Sequence, residues 1–441
     1  PDMVPGDPQQ RAARLAEVME IVRREAPAED RELALGFAPL VFGDMPPRVA
    51  LELPASVVAA RLLSHFYFVA REMPPSHQLY RGLPGIHVAV WNPEDERARA
   101  LGGGAGLPIE TTIVQTHTPD KPFIFDSLKN YFQRAGVRVY SAIHPMFTVR
   151  RQWERIVSFG GVQEEGSRES YTSFQIEPLE SKDRRRRMEH EIFSLLKAVF
   201  LAVDDFADMQ RTCRDLVDRL RSPRGNAAQL ASARAFVEWL LEDNYIFMGT
   251  VSYRVGPDGR FYRVDETAHG AFADPTLLPI VFPGVGEHIE THLHPLSDDS
   301  RIIDLNFCTG AGAIYHLDPI EDLTLREWGE DGRLRGLTFL LGRFARSAFA
   351  QRADRIPILR EKQKWMLDRC GATPYSYVWR RTRATFNQLP KADLLYAEAA
   401  DLKRLIDRIV HVASDDEVIV EGRGGPGYET LYVAFSRLRY S

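Results

Sequence analysis

The densest set of groups able to hold a metal or move a proton is Glu287-His-Ile-Glu-Thr-His-Leu-His294, with Asp298 and Asp299 close behind. On a helix His288 and His292 would share a face at i and i+4; on a strand His292 and His294 would. With a carboxylate beside it, either pair could begin a zinc site for metal-dependent hydrolysis. Neither H-E-x-x-H nor its reverse occurs, because Ile289 and Glu290 follow His288. Pro283, Gly284 and Gly286 before the run and Pro295 after it favour a short strand or loop of solvated polar residues. A metal site on His288, His292 and His294 is the enzyme-class alternative.

Other catalytic signatures are missing from the sequence. There is no G-x-S-x-G elbow, no P-loop lysine and no G-x-G-x-x-G between a strand and a helix. Gly102-Gly-Gly-Ala-Gly106 follows a polar stretch and precedes another strand, so it reads as a connector. Gly422 to Gly427 lies between alternating strands and contains Pro426, which suits a turn better than a cradle of amides. Arg184-Arg-Arg-Arg187 sits among Glu180, Asp183, Glu189 and Glu191, the pattern of a solvated helical face. Cys213, Cys308 and Cys370 are far apart and read as small core residues. No catalytic residue and no bound cofactor is expected of these residues.

The elements that would position any site follow from periodicity. Ile109 to Gln115 is a β-branched run, and after Thr116-His-Thr-Pro-Asp-Lys-Pro122 the residues Phe123, Phe125, Leu128, Tyr131 and Phe132 recur at helical spacing. Gly136 stands where a helix ends. Strands are expected at Val137–Pro145, Met146–Arg150 and Tyr171–Ile176, then a helix from Asp183 past Val203. The order βαββα is that of a split βαβ sandwich with one sheet face under two helices. Ahead of it come helices at Gln9–Ala26 and Ala55–Val69 and a strand at His87–Trp91; Pro46-Pro47 and Pro74-Pro75 are breaks. Beyond the Ser222–Asn226 boundary, a helix from Ala227 leads into the strand Asn244–Tyr253. Pro257–Arg260 and Gly329–Arg333 are expected hairpin turns of an antiparallel sheet with helices on one side, PAS-like in form. Helices at Ile358–Cys370, Tyr377–Leu389 and Ala397–Val410 precede strands at Glu417–Val420 and Tyr428–Phe435.

Several of these passages resemble the N-terminal region of the large bacterial NAD-specific glutamate dehydrogenases. The family's first ACT-like domain carries a motif close to D-x-P-F-L-x-D-S, here Asp120 to Ser127, then His144-Pro145 and Arg168-Glu169-Ser170. Val203, Asp205 and Met209 follow its next helical motif. Phe236, Trp239, Leu240, Asn244, Ile246, Met248, Gly249 and Tyr253 follow a further family passage, Ile356 to Lys362 resembles its I-P-x-L-R-x-K, and Pro390 to Leu395 its P-R-D-E-L-F. Thr309 to Pro319 departs from a Lys-rich, V-H-R-P passage. The resemblance implies a parent enzyme that deaminates L-glutamate to 2-oxoglutarate with NAD in a catalytic domain farther along the polypeptide. For this chain it implies a regulatory and self-associating region of tandem ACT-like and PAS-like modules, an α+β fold class. A small amino-acid effector would bind at the first strand-to-helix turn, where Thr116, Thr118, Asp120, Lys121, Asp126 and Ser127 lie. The structural alternative is that Thr118 or Asp120 caps the helix, Pro122 sits in its first turn, Asp126 and Ser127 bond to the neighbouring strands, and Arg150 pairs with Arg168-Glu169.

At 441 residues the chain exceeds one ordinary core, and roughly 150 residues per domain suggests about three. The expected division is 1–100, a helical segment leading into the first module; 101–222, the ACT-like domain with its long helix; 223–345, the PAS-like domain; 346–412, a helical linker; and 413–441, an incomplete second ACT-like domain. With 44% hydrophobic and 27% charged residues and a net charge of -5, neither nucleic acid nor a membrane surface is an expected partner. No apolar run reaches spanning length, and the cytoplasm is the expected location.

Overall fold

The computed structural model describes residues 8–70, 79–80, 83–94, 110–152, 155–221, 227–293, 301–308, 320–412, 418–425 and 428–435. Gly102–Gly106, Ser222–Asn226, His294, Asp298, Asp299 and Thr309–Pro319 lie outside them. The described residues divide into two units, one up to Val199 and one from Phe200.

In the first unit β1 (His87–Trp91), β2 (Thr112–Pro119), β3 (Val139–Ile143), β4 (Met146–Gln152), β5 (Arg155–Gly160) and β6 (Ser167–Ile176) form an antiparallel sheet in the order β1-β2-β6-β4-β5. β3 and β4 share one edge of β6: β3 pairs from Val139↔Ile176 to Ile143↔Ser173, and β4 from Met146↔Ser170 to Val149↔Ser167. The changeover falls at His144-Pro145, where proline has no N–H for the ladder. The Pro145 carbonyl still accepts from Tyr171 N at 3.1 Å.

Both faces of this sheet are covered, not one. The register His117↔Tyr171 and Gln115↔Ser173 puts Ile113, Gln115, His117 and Tyr171 on one face and Val114, Thr116 and Phe174 on the other. The second face lies under α4 (Ile124–Arg134) and α5 (Lys182–Asp204), with Phe132 against Phe174 at 4.9 Å and Val90 N donating to Glu189 Oε2 at 3.0 Å. The first lies under α1 (Pro8–Glu25), α2 (Arg31–Asp44) and α3 (Ala55–Ala70). The sequence reading missed α2 because its apolar residues run almost all round it; Ala34, Phe37, Ala38, Val41 and Phe42 are buried. Of the four arginines expected on a solvated face, Arg185 is buried and bonds the carbonyls of Leu179 and Glu180.

In the second unit α6 (Phe206–Arg219) and α7 (Ala227–Trp239) precede β7 (Tyr245–Val255), β8 (Phe261–Gly270), β9 (Ile303–Cys308), β10 (Ile320–Trp328) and β11 (Leu334–Phe344). These strands form an antiparallel sheet in the order β8-β7-β11-β10-β9. Two of its turns repeat G-x-D-G-R in sequence and in geometry. Gly256 N donates to Arg260 O and Gly329 N to Arg333 O, both at 2.8 Å, while Gly259 and Gly332 adopt φ of 76° and 73°.

Leu323, Leu325, Leu340 and Phe344 face a core shared with α6, α7, α9 (Pro357–Leu367), α10 (Tyr377–Gln388), α11 (Lys391–Tyr396) and α12 (Ala399–Val410). The opposite face carries a helix between β8 and β9, α8 (Val285–His292), where a strand or loop was expected. Gly284, at φ 89°, sets its start. The last hairpin, β12 (Val418–Gly425) with β13 (Tyr428–Phe435), packs Ile419 and Tyr432 inward and leaves Val418, Val420, Leu431 and Val433 exposed.

Phe37 of α2 lies within 5.0–6.4 Å of the rings of Phe66, Phe147, Phe159 and Tyr171. Phe37→Ala should therefore cost about 3–5 kcal/mol in urea denaturation. The exposed Tyr140→Ala should change stability by less than about 0.5 kcal/mol. Equal midpoints for the two variants would show that α2 does not share the core.

Candidate functional site

The turn from β2 to α4 is built differently from a capped helix start. The N-cap position is Phe123, in the left-handed region at φ 74°, and its side chain makes no capping hydrogen bond to the first amides of α4. A bulky residue held there is strained unless its surroundings impose it. Here the preceding turn is pinned by Asp120 N donating to the Arg168 carbonyl at 3.0 Å. Capping by Thr118 or Asp120 is thus not what the structure contains, and Pro122 precedes the helix.

Around this turn the six predicted residues divide. Thr116 is buried and its hydroxyl lies 2.8 Å from that of Thr172, so the sheet uses it; Ser127 is also wholly buried. Thr118 is buried with an Oγ1 that has no hydrogen-bond partner. Asp120 and Lys121 are half-buried and Asp126 is exposed. Sequence reasoning gave no ligand role to His144, the hub of the arrangement. Its ring stacks on Phe125 at 4.8 Å, its Nε2 is 2.8 Å from Ser170 Oγ, and its backbone N–H donates to Asp44. Burial lowers the His144 pKa, opposed by the charges of Asp44, Asp120 and Asp126. The His-Pro pair was legible; Asp44, a hundred residues earlier, carried no signal.

Glu169 was expected to pair with Arg150. Its partners are Arg151, at both oxygens, and His117, at 2.6 Å, while Arg150 bonds Ser158. A bulge between Arg150 and Arg151 shifts the register of β4 against β5. Burial alone would raise the Glu169 carboxyl, but the hydrogen bonds from His117 and Arg151 outweigh it and hold the pKa at about 2.

The histidine cluster forms part of a helix after all, so His288 and His292 do share a face, with ring centroids 4.3 Å apart. Each meets an aspartate on the sheet: His288 Nε2 is 3.2 Å from Asp322 Oδ2, and His292 Nε2 is 3.3 Å from Asp304 Oδ2. Among the described residues no group of three or more His, Cys, Asp or Glu is placed to hold a metal. The two pairs differ electrostatically. Burial followed by the charge of His292 depresses His288 to about 4, and burial raises Asp322 to about 7. For the second pair burial acts the other way but loses: hydrogen bonding to Asp304 raises His292, and His292, Arg301 and Arg326 hold Asp304 at about 2.

Comparison with known proteins agrees with this architecture. The family described as glutamate dehydrogenase, ACT1 domain, matches residues 37–192, and glutamate dehydrogenase, helical motif 1, matches residues 356–415. The NAD-specific glutamate dehydrogenase of Halomonas elongata is 24% identical over 340 residues, covering 73% of this chain and 21% of the relative. That of Pseudomonas aeruginosa is 22% identical over 354 residues, covering 77% and 21%. Two glutamate dehydrogenase family models thus match separate parts of the chain, which is similar to the bacterial NAD-specific glutamate dehydrogenases.

It spans about a fifth of the length of these relatives. Residues that carried the resemblance have structural work here. Lys362 Nζ donates to the carbonyls of Leu394, Leu395 and Ala397 at 3.0, 2.7 and 3.0 Å, joining the two family passages at Ile356–Lys362 and Pro390–Leu395. Asp205 accepts from Gly270 N at 2.9 Å, where φ is 61° and an added Cβ would meet the Met248 carbonyl. Gly249 leaves room for the Phe272 ring.

The raised Asp322 carboxyl fixes a pH dependence. Its folded pKa, about 7, lies above the unfolded value near 3.9. Its contribution to stability is therefore fully present below about pH 4 and lost as pH rises through 7. Asp322→Asn should flatten that part of the unfolding profile, measured by urea titration from pH 4 to 8. A variant whose stability falls with pH as steeply as the wild type would show that Asp322 ionises normally.

Proposed function

We propose that this chain is the non-catalytic regulatory and assembly region of a large NAD-dependent glutamate dehydrogenase. The parent polypeptide would convert L-glutamate, NAD and water to 2-oxoglutarate, ammonia and NADH in a catalytic domain beyond these residues, and would work in the cytoplasm. The observation that carries the reading is an ACT1-matched sheet whose β2–α4 turn leaves the first amides of an eleven-residue helix uncapped. Uncapped amides and the positive end of a helix favour a carboxylate. Asp120 and Asp126, which both act on His144, supply the opposite charge for an ammonium group. Together with the unpartnered Thr118 hydroxyl this is the complement of a small α-amino acid.

Within this reading the modules are an N-terminal helical segment at 1–100, the ACT-like domain at 101–222, a PAS-like domain at 223–345, a helical linker at 346–412 and the start of a second ACT-like domain from 413. The five-stranded order, second-first-fifth-fourth-third along the chain, supports the PAS-like reading. Self-association would use the sheet edges, because helices already cover both faces of the first sheet.

A panel of L-amino acids in a thermal-shift assay should contain at least one that raises the melting temperature. Asp126→Ala should weaken that ligand about tenfold in calorimetry without changing the circular dichroism spectrum. If no amino acid produces a shift, sensing is excluded and assembly alone remains. The same calorimeter should detect no NAD binding by this chain; micromolar affinity would count against a non-catalytic role.

A further inference from the structure

Little apolar surface holds α8 to the second sheet. Of its eight residues only Val285 and Ile289 are buried, while Glu287, Glu290 and Thr291 are exposed. The helix hangs on Gly284, at φ 89°, where an added Cβ would meet nothing within 4 Å. Val281 and Phe282, just ahead, are buried. The chain is thus anchored before Gly284 and has open space at it, which is the form of a hinge.

Polar groups supply the rest of the attachment, and they supply it incompletely. His288 Nε2 lies 3.2 Å from Asp322 Oδ2, but the angle between them does not make a hydrogen bond. Both oxygens of Asp322 and the hydroxyl of Thr324, on the same wholly buried stretch of β10, have no hydrogen-bond partner. The second pair is better made: His292 Nε2 is 3.3 Å from Asp304 Oδ2, and Arg326 and Arg301 reach the two oxygens of Asp304 at 3.5 and 3.3 Å. From β11 the Phe339 ring faces His292 at 6.1 Å, with Tyr253 of β7 beyond it, 5.7 Å from Phe339. The short helix Leu278–Val281 ahead of the hinge has no ionisable side chain.

Both pairs lose their hold in the same direction of pH. Burial raises Asp322 to about 7, with the opposed charges of His292 and Asp304 as lesser influences. Burial opposes the charge on His292, but hydrogen bonding to Asp304 raises it overall. A group raised in this way stabilises the closed form below its ordinary pKa and ceases to do so as pH rises through the folded value. His288, depressed to about 4, is neutral throughout and offers Asp322 no compensating charge. Once ionised, Asp322 recovers hydration only if α8 moves away.

We propose that α8 is a pH-sensitive latch over the polar face of the second sheet, closed while Asp322 and His292 hold their protons and swinging open about Gly284 when they lose them. Opening admits water to Asp304, Asp322 and Thr324 and leaves the apolar core on the other face intact.

Hydrogen–deuterium exchange of the whole chain, read by mass spectrometry from pH 6 to pH 8.5 and corrected for the intrinsic exchange rate, tests this. Protection of the amides of 286–292 should fall about tenfold over that range, the change expected of a carboxyl that titrates at about 7 when closed and near 3.9 when open. The amides of β11 should keep their protection, because the latch opens without unfolding the core. Asp322→Asn should remove most of the fall. Asp304→Asn should move it to lower pH, since the charge of Asp304 raises both Asp322 and His292. Unchanged protection at 286–292, or a fall matched by β11, overturns the proposal. So does an Asp322→Asn variant that opens with pH as steeply as the wild type, or an Asp304→Asn variant whose transition stays in place or moves to higher pH.

Discussion

Burial of β2 on both sides is the constraint on which the first unit depends. Every residue from Thr112 to Thr118 is buried, so each polar side chain in that run must find its partner inside the protein. Gln115 does so completely: its carbonyl accepts from Trp91 Nε1 at 2.9 Å and its amide donates to the Tyr171 hydroxyl at 2.7 Å, which in turn lies 2.7 Å from His65 Nδ1. Burial depresses His65 to about 3, so it is neutral in this network. His117 reaches Glu169, and Thr116 reaches Thr172. Thr118, at the end of the strand, is left without a partner, and it is there that the chain turns into the uncapped helix. The candidate site thus lies where the internal pairing of the strand runs out.

The second unit handles its sheet differently. One face is a continuous apolar core shared with α6, α7 and α9 to α12, while the other puts Asp322, Thr324 and Asp304 under a helix bearing two histidines. Pairing on that side is incomplete: the oxygens of Asp322 and the hydroxyl of Thr324 lack hydrogen-bond partners. The burial that would be costly for an ionised Asp322 is relieved by its protonation. Glu169 therefore loses its contribution to stability as pH falls, and Asp322 loses its contribution as pH rises.

Much of this was readable one segment at a time. The G-x-D-G-R turns, the helices at α1, α3, α7, α9 and α10 and the strands β2, β3, β4 and β6 follow from local spacing, whereas β5 was missed and the expected βαββα order has four strands between its helices. The errors have a common cause, a tertiary contact outweighing a local pattern. Glycines and prolines around His288 argued for a loop, but Val285 and Ile289 are buried and hold the segment as a helix. Thr118 and Asp120 had capping chemistry, but the pinned turn moved the helix start to Phe123, whose left-handed backbone no sequence rule assigns to phenylalanine. A one-residue bulge made Arg151, not Arg150, the partner of Glu169.

Residue types and their periods by themselves determined the mixed helix and antiparallel-sheet class, the turn positions and the identity of the strand-to-helix joint, because these depend on interactions within a few residues. Only the tertiary structure decided that both faces of the first sheet are covered, that His144 gathers Asp44, Asp120 and Asp126, and that Lys362 ties two distant passages together. Those outcomes join residues as far as 100 positions apart, and which of the possible partners meet is set by how the layers pack, a quantity no local period encodes.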